Sequence, residues 1–295
     1  MSSARQPLSG IQWFDIDDPN SPELDELAHR FGYHELQVED CRHRPQRAKT
    51  EDHEHYLFAV LKHRHHNLSA FQFEDFDVFV GRQEMVTVHQ GPSDVVEKLR
   101  ASAEQVSAKA PDRLFYMLLD ILVDEYSPVL DKMAEETADV EARVLEHPDP
   151  DVLARLFKLK RYLIEFRRHA GGMREVVNSV MRREKGLLSD ELDPYFRDVY
   201  DHLIRTTEFI ETYRDLLTGA LDIYLSAVAN RTNEVMKLLT VWGTVALPLV
   251  IITGFFGMNL QLPWTSNPHG IFYAGGLMAF TTVAVLVYFR GKHWF

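Results

Sequence analysis

The 295-residue sequence predicts an α+β chain: an α/β-like N-terminal domain, then long stalk helices, then two C-terminal membrane-spanning helices. Three observations predict it. Short β-branched and aromatic runs crowd the first third. Helical periodicity takes over from Pro111 onward. The last acidic residue is Glu234, after which only Lys237, Arg290 and Lys292 carry charge. That tail holds +3, so by difference from the total of −12 the preceding chain holds −15. An acidic, water-compatible part is therefore joined to an apolar tail.

The predicted strands are 11–16, 56–62, 76–80 and 85–89, each bounded by polar breaks. Ser21 to Phe31 reads as a helix with Ser21 as N-cap and Glu23 in the first turn. Residues 1–105 form the expected α/β domain, 106–234 the helical hairpin and stalk, and 235–295 the membrane domain. Asp112 to Glu146 reads as one helix, broken by Pro148 and Pro150. Val152 to about Lys185 reads as its antiparallel partner.

A further helix starts near Pro194 and meets no stop signal before the first span. Phe196, Val199, Leu203, Thr206, Ile210, Tyr213, Leu217, Ala220, Tyr224 and Ala227 keep a three-four spacing, a coiled-coil-like seam. From Pro194 to Met258 the helix would be about 100 Å long at 1.5 Å per residue. Such a helix needs partners, and further copies of the same chain are the simplest. A second line, seven residues apart, holds Asp222, Ala229, Met236, Gly243, Val250 and Gly257. Residues at that spacing stay on one line in a left-handed bundle. Small and modest apolar side chains below an acid suit a helix facing a narrow axial space.

Leu238–Met258 and Gly270–Phe289 are uncharged stretches of 21 and 20 residues, each long enough to cross about 30 Å of hydrocarbon. Lys237 precedes the first, Arg290 and Lys292 follow the second, and the loop between has neither Lys nor Arg. Both termini are therefore expected in the cytoplasm of a multi-pass cell-membrane protein, with the loop outside.

Several classes are excluded or left without support. The negative charge disfavours nucleic acid. A lone Cys41 cannot build a disulfide framework. No nucleotide-phosphate loop and no catalytic constellation stands out, so the chain reads as no enzyme, with no organic cofactor. His43, His53, His55, His63, His65 and His66 crowd one region. They fall on or beside a strand and a polar turn without supporting Cys, and are read as no metal site.

The stretch YLSAVANRTNEVMKLLT (Tyr224–Thr240) runs into the first span, which ends in Gly257, Met258 and Asn259 directly before the outer loop. HELQVEDCRHRPQRAKTEDHEHYLF (His34–Phe58), YFRDVYDHLI (Tyr195–Ile204) and the ending RGKHWF accompany it. Together these resemble the CorA family of magnesium transporters over nearly the whole chain from Trp13. The resemblance implies a homopentamer in the lipid bilayer with a funnel-like cytoplasmic region. It implies Gly257, Met258 and Asn259 as selectivity filter, and Asp222, Met236, Leu239, Gly243, Leu247 and Val250 as pore lining or gate. It also implies a regulatory divalent ion held by Asp40 and Asp198 across neighbouring subunits, with Glu39 as auxiliary ligand. Magnesium is then both the transported and the regulatory ion.

Three departures stand out: the family's first strands are missing, no acid follows the Gly-Met-Asn motif, and position 250 is Val. No carboxylate lies in or beyond the spans, so the Asn259 ring would act on the ion's water, which suits slowly dehydrating Mg²⁺. Met236 and Leu239 would form an apolar constriction that gates by dewetting. The alternatives are a Zn²⁺, Co²⁺ or Ni²⁺ transporter like the ZntB relatives, or a non-conducting membrane-anchored cation sensor. Met258 in the middle of the motif favours magnesium.

Overall fold

The computed structural model describes residues 11–64, 71–106, 110–183, 187–258 and 269–292. The chain divides into two compact units, Met1–Leu221 and Asp222–Phe295.

The first unit is built on a five-stranded sheet: β1 (Gln12–Ile16), β2 (Lys49–Asp52), β3 (Tyr56–Arg64), β4 (Phe73–Gly81) and β5 (Glu84–Val88). The strand order is β1-β5-β4-β3-β2, with β1 parallel to β5 and every other pair antiparallel. Both faces of β3 are buried, which explains its nearly unbroken apolar run. Helices α1 (Pro22–Phe31) and α2 (Glu35–Arg42) lie over one face. Leu24, Leu27, Val38 and Cys41 pack there with Tyr56, Phe58, Val60 and Phe79. Ser21 caps α1 by accepting from the Glu23 amide, and Gly32 ends it at a positive φ of 72°.

Helix α3 (Asp94–Val106) leads into α4 (Pro111–Asp124), α5 (Tyr126–Glu146) and α6 (Pro150–Met181). The single helix expected from Asp112 to Glu146 is two helices meeting at Glu125. Pro128 explains the break: its ring clashes with the carbonyl four residues back, and it has no N–H to donate. Asp149 caps α6 through the Val152 amide.

Helix α7 (Asp193–Phe256) is continuous over 64 residues; those up to Leu221 belong to the first unit. Phe196, Val199, Leu203, Ile210, Leu217 and Ala220 of the three-four seam are buried within the single chain. Rings of Phe115 and Tyr116 on α4 meet Phe196, and Arg167 of α6 pairs with Glu211 at 2.7 Å. This part of the seam is thus covered by the chain's own helices, not by another copy. Its apolar spacing could not distinguish the two, because both partners bury the same stripe.

The second unit holds the rest of α7 and α8 (Gly270–Gly291). Both helices are long and apolar enough to cross a membrane. Val241, Ile252 and Phe289 are buried, and most other side chains of this unit are exposed.

Candidate ion pathway and regulatory cation site

On α7, Asp222, Ala229, Met236, Gly243 and Val250 are all exposed, as are Leu239, Leu247 and, just past the helix end, Gly257. Met236 is 55% and Leu239 65% exposed, in a stretch where apolar side chains outnumber polar ones. The hydroxyls in this segment are self-satisfied: Thr240 donates to the Met236 carbonyl and Thr244 to the Thr240 carbonyl, both at 2.7 Å. Thr253 does the same to Leu249 at 2.9 Å. Pro248 lies inside the helix and cannot donate to the carbonyl of Thr244.

The end of α7 is tightly closed. The Gly257 amide donates to the Thr253 carbonyl at 2.9 Å. A Cβ at Gly257 would stand 3.0 Å from that same oxygen, a tight contact that favours glycine here. Met258, just beyond, is exposed. Asn259 and the rest of the loop to 268 lie outside the described residues, as do His65 and His66.

In the first unit, a cavity of about 540 Å³ is lined by residues including Glu39, Asp40, Lys49, Glu51, Gln37 and His53. Helix α2 supplies Glu39 and Asp40, and edge strand β2 supplies Lys49 and Glu51. Lys49 Nζ lies 2.7 Å from Asp40 Oδ2 and 2.5 Å from Glu51 Oε1. Burial would lower the lysine pKa, but the hydrogen bonds it donates to Asp40 and Glu51 outweigh it and raise it. Burial would likewise raise Glu51; bonds from Gln37 and Lys49 win and lower it. Gln37 Nε2 donates to Glu51 Oε2 at 2.8 Å, and Tyr56 OH donates to Gln37 Oε1 at 2.7 Å.

Asp198 sits on the first turns of α7, largely exposed, with His202 Nε2 at 3.9 Å. It does not line the Asp40 cavity. On α4, burial together with the charges of Asp124 and Asp198 raises the Asp120 carboxyl above its usual range. Asp120, Asp124 and Asp198 thus form an acidic surface distinct from the Asp40 cavity. Among the described residues, no three His, Cys, Asp or Glu side chains converge as a metal cage. Carboxylate oxygens such as those of Asp40 and Asp198 are the donor type that hard cations such as Mg²⁺ take.

Beneath α2 lies a buried polar layer. Lys62 pairs with Asp75, both 2% exposed. Arg44 donates to Asp77 at 2.6 Å, and burial pushes the Asp77 carboxyl up to about 7. The Gln46 amide donates to Asp75 Oδ2 at 2.6 Å, and Arg44 also bonds the Asp75 carbonyl at 2.7 Å. This layer anchors the segment between Asp40 and Lys49.

A mixed sheet with flanking helices leads into one long helix, α7, whose far end is apolar, and a second apolar helix, α8; both are long and apolar enough to cross a membrane. The sequence model of the family described as "CorA-like Mg2+ transporter protein" matches residues 9–291, and the chain belongs to that family. It is 38% identical over 271 residues to the cobalt/magnesium transport protein CorA of Thermotoga maritima, covering 90% of this chain and 77% of that protein. The complete structure of the CorA magnesium transporter from Methanocaldococcus jannaschii matches with a TM-score of 0.87. Identity there is 23%, over 97% of this chain and 92% of that one. The cytoplasmic domain of ZntB from Vibrio parahaemolyticus has a TM-score of 0.64 at 14% identity, over 74% and 88% of the two chains. At such identities the two structures show a shared fold. Members of the family are transporters and not enzymes.

Proposed function

We propose that this chain assembles as a homopentamer that conducts divalent cations, chiefly Mg²⁺, inward down the membrane potential. The observation that carries this reading is the exposed row on α7: Met236, Leu239, Gly243, Leu247 and Val250 lead to Gly257 and Met258 at the helix end. Apolar side chains exposed on one copy call for lipid or further copies, and the small, regularly spaced ones suit close helix approach. Both termini lie in the cytoplasm, and Asn259 holds the hydrated ion at the outer mouth. Entry of a divalent ion gains about 4.6 kcal/mol per 100 mV, so no ATP is required.

Asp40 and Asp198, with Glu39 beside Asp40, bind regulatory Mg²⁺ between neighbouring subunits and hold the closed state. Two carboxylates facing each other across an interface repel, and a divalent ion turns the repulsion into a clamp. The ion must bind the closed state better than the open one to shift the balance. The test is metal-resolved flux into liposomes containing the purified full-length protein, at varied lumenal and external Mg²⁺. Mg²⁺ flux exceeding that of Zn²⁺, Co²⁺ and Ni²⁺ supports the reading. Absence of Mg²⁺ flux with robust Zn²⁺ flux overturns it. Wild-type Mg²⁺ inhibition in Asp40→Asn and Asp198→Asn would remove the regulatory assignment alone.

A further inference from the structure

We propose that Lys49 is a built-in competitor for the Asp40 cation site, setting how much cytoplasmic Mg²⁺ is needed to close the pore. This rests on the reading of Asp40 as a regulatory ligand. The lysine ammonium sits on one oxygen of the carboxylate that a divalent ion would use. It bridges Asp40 Oδ2 at 2.7 Å and Glu51 Oε1 at 2.5 Å. Lys49 is the one ion-pair partner of Asp40 among the described residues.

The bridge is held in place by its surroundings. Lys49 and Glu51 are two residues apart on β2, so both side chains point to the same face. The second oxygen of Glu51 accepts from Gln37, and Gln37 is fixed in turn by Tyr56 OH. The His53 ring stacks on Tyr56 at 4.7 Å, with its Nε2 2.6 Å from Gln37 Nε2. Lys49 is thus anchored on the Glu51 side and reaches Asp40 as a tethered cation.

The consequences follow from charge. A divalent ion arriving at Asp40 meets a carboxylate whose Oδ2 already faces an ammonium, shared with Glu51. It either displaces the ammonium, at the loss of a charge-assisted hydrogen bond, or binds beside a like charge. Both routes weaken binding. A unit charge about 5 Å from a water-screened divalent ion changes affinity by roughly tenfold. Glu51 gives the displaced ammonium somewhere to remain, so exchange leaves no charge unpaired. A site of two or three carboxylates is thereby detuned toward a higher working concentration of Mg²⁺.

The experiment is Mg²⁺-dependent protection of the purified full-length protein from limited proteolysis, with liposome flux measured in parallel. Lys49→Met should move the protection midpoint about tenfold toward lower Mg²⁺, and Lys49→Arg should stay within about threefold of wild type. Lys49→Gln removes the same charge with a polar side chain, so poor assembly of the Met variant does not stop the test. If both neutral variants keep the wild-type midpoint, or shift it to higher Mg²⁺, while Asp40→Asn abolishes protection, the competitor role is wrong and the regulatory site stands. If Asp40→Asn itself keeps wild-type protection, the regulatory reading fails and this inference falls with it.

Discussion

Replacing Asp75 by Asn should destabilise the sheet far more than a typical surface change. Asp75 and its partner Lys62 are each 2% exposed. The substitution keeps the side-chain shape and an oxygen for the Gln46 amide, but leaves the Lys62 ammonium buried without a counter-charge. Breaking a buried pair from one side costs about 3–5 kcal/mol. Removing both charges, as in Lys62→Met with Asp75→Asn, should cost only about 1–2 kcal/mol, because no ion is then stranded. Hydrogen exchange read by mass spectrometry on β3 and β4 peptides of the full-length protein measures this locally. At 1.4 kcal/mol per decade, the single variant should speed exchange roughly a hundredfold to a few thousandfold, and the double variant roughly tenfold. A single variant that exchanges like wild type, or a double variant no better protected than the single, would show that the pair does not hold this layer. The same layer fixes the segment carrying Asp40 and Lys49, through Arg44 and Gln46. The single variant should therefore also broaden the Mg²⁺ response.

Asn259→Ala should leave an assembled oligomer that no longer takes up Mg²⁺ selectively; normal selective uptake by that variant counts against Asn259 as the filter. Met236→Ser or Leu239→Ser should raise basal leak by wetting an apolar ring, and unchanged conductance in both at equal expression removes the gate from this position. Burial, Lys62 and Arg168 hold the His169 imidazole down at about 4 from its usual 6.5. The neutral ring is the one the fold accepts, so its contribution is complete above pH 6.5 and is lost as pH falls toward 4. The ring is partly exposed, so the loss is about 1–2 kcal/mol after discounting for solvent. His169→Phe keeps the ring packing on Phe73 and should show a shallower fall in thermal midpoint between pH 6.5 and 4; an identical fall refutes the assignment.

Legibility of the fold from sequence varied with how directly burial writes itself into residue type. The strands β1, β3, β4 and β5 lie where the short β-branched and aromatic runs place them. The short β2 escaped, because KTED is polar and sits at a sheet edge. Asp75 and Asp77 alternate with Phe76 and Val78, the pattern of a half-exposed strand. Their side is in fact buried under α2 and paired with Lys62 and Arg44, and no local pattern encodes a partner that arrives from 13 or 33 residues away. The apolar face of α7 below the spans was legible as a stripe, but not which helices cover it. Asp40 and Asp198 were singled out by motif resemblance alone, and within one chain they lie at separate places. The Lys49 bridge was not legible, since it forms only when α2 and β2 fold back on each other.

The self-satisfied hydroxyls of α7 have a mechanical consequence. In hydrocarbon, a polar side chain that needs an outside partner acts as a latch, fixing one helix against its neighbour. Thr240, Thr244 and Thr253 spend their protons on their own backbone instead. Turning the helix about its own axis therefore breaks none of these bonds. These three hydroxyls thus add no hydrogen-bonded latch that would resist rotation or sliding of this stretch of α7, and an Asn placed at any of the three would add one.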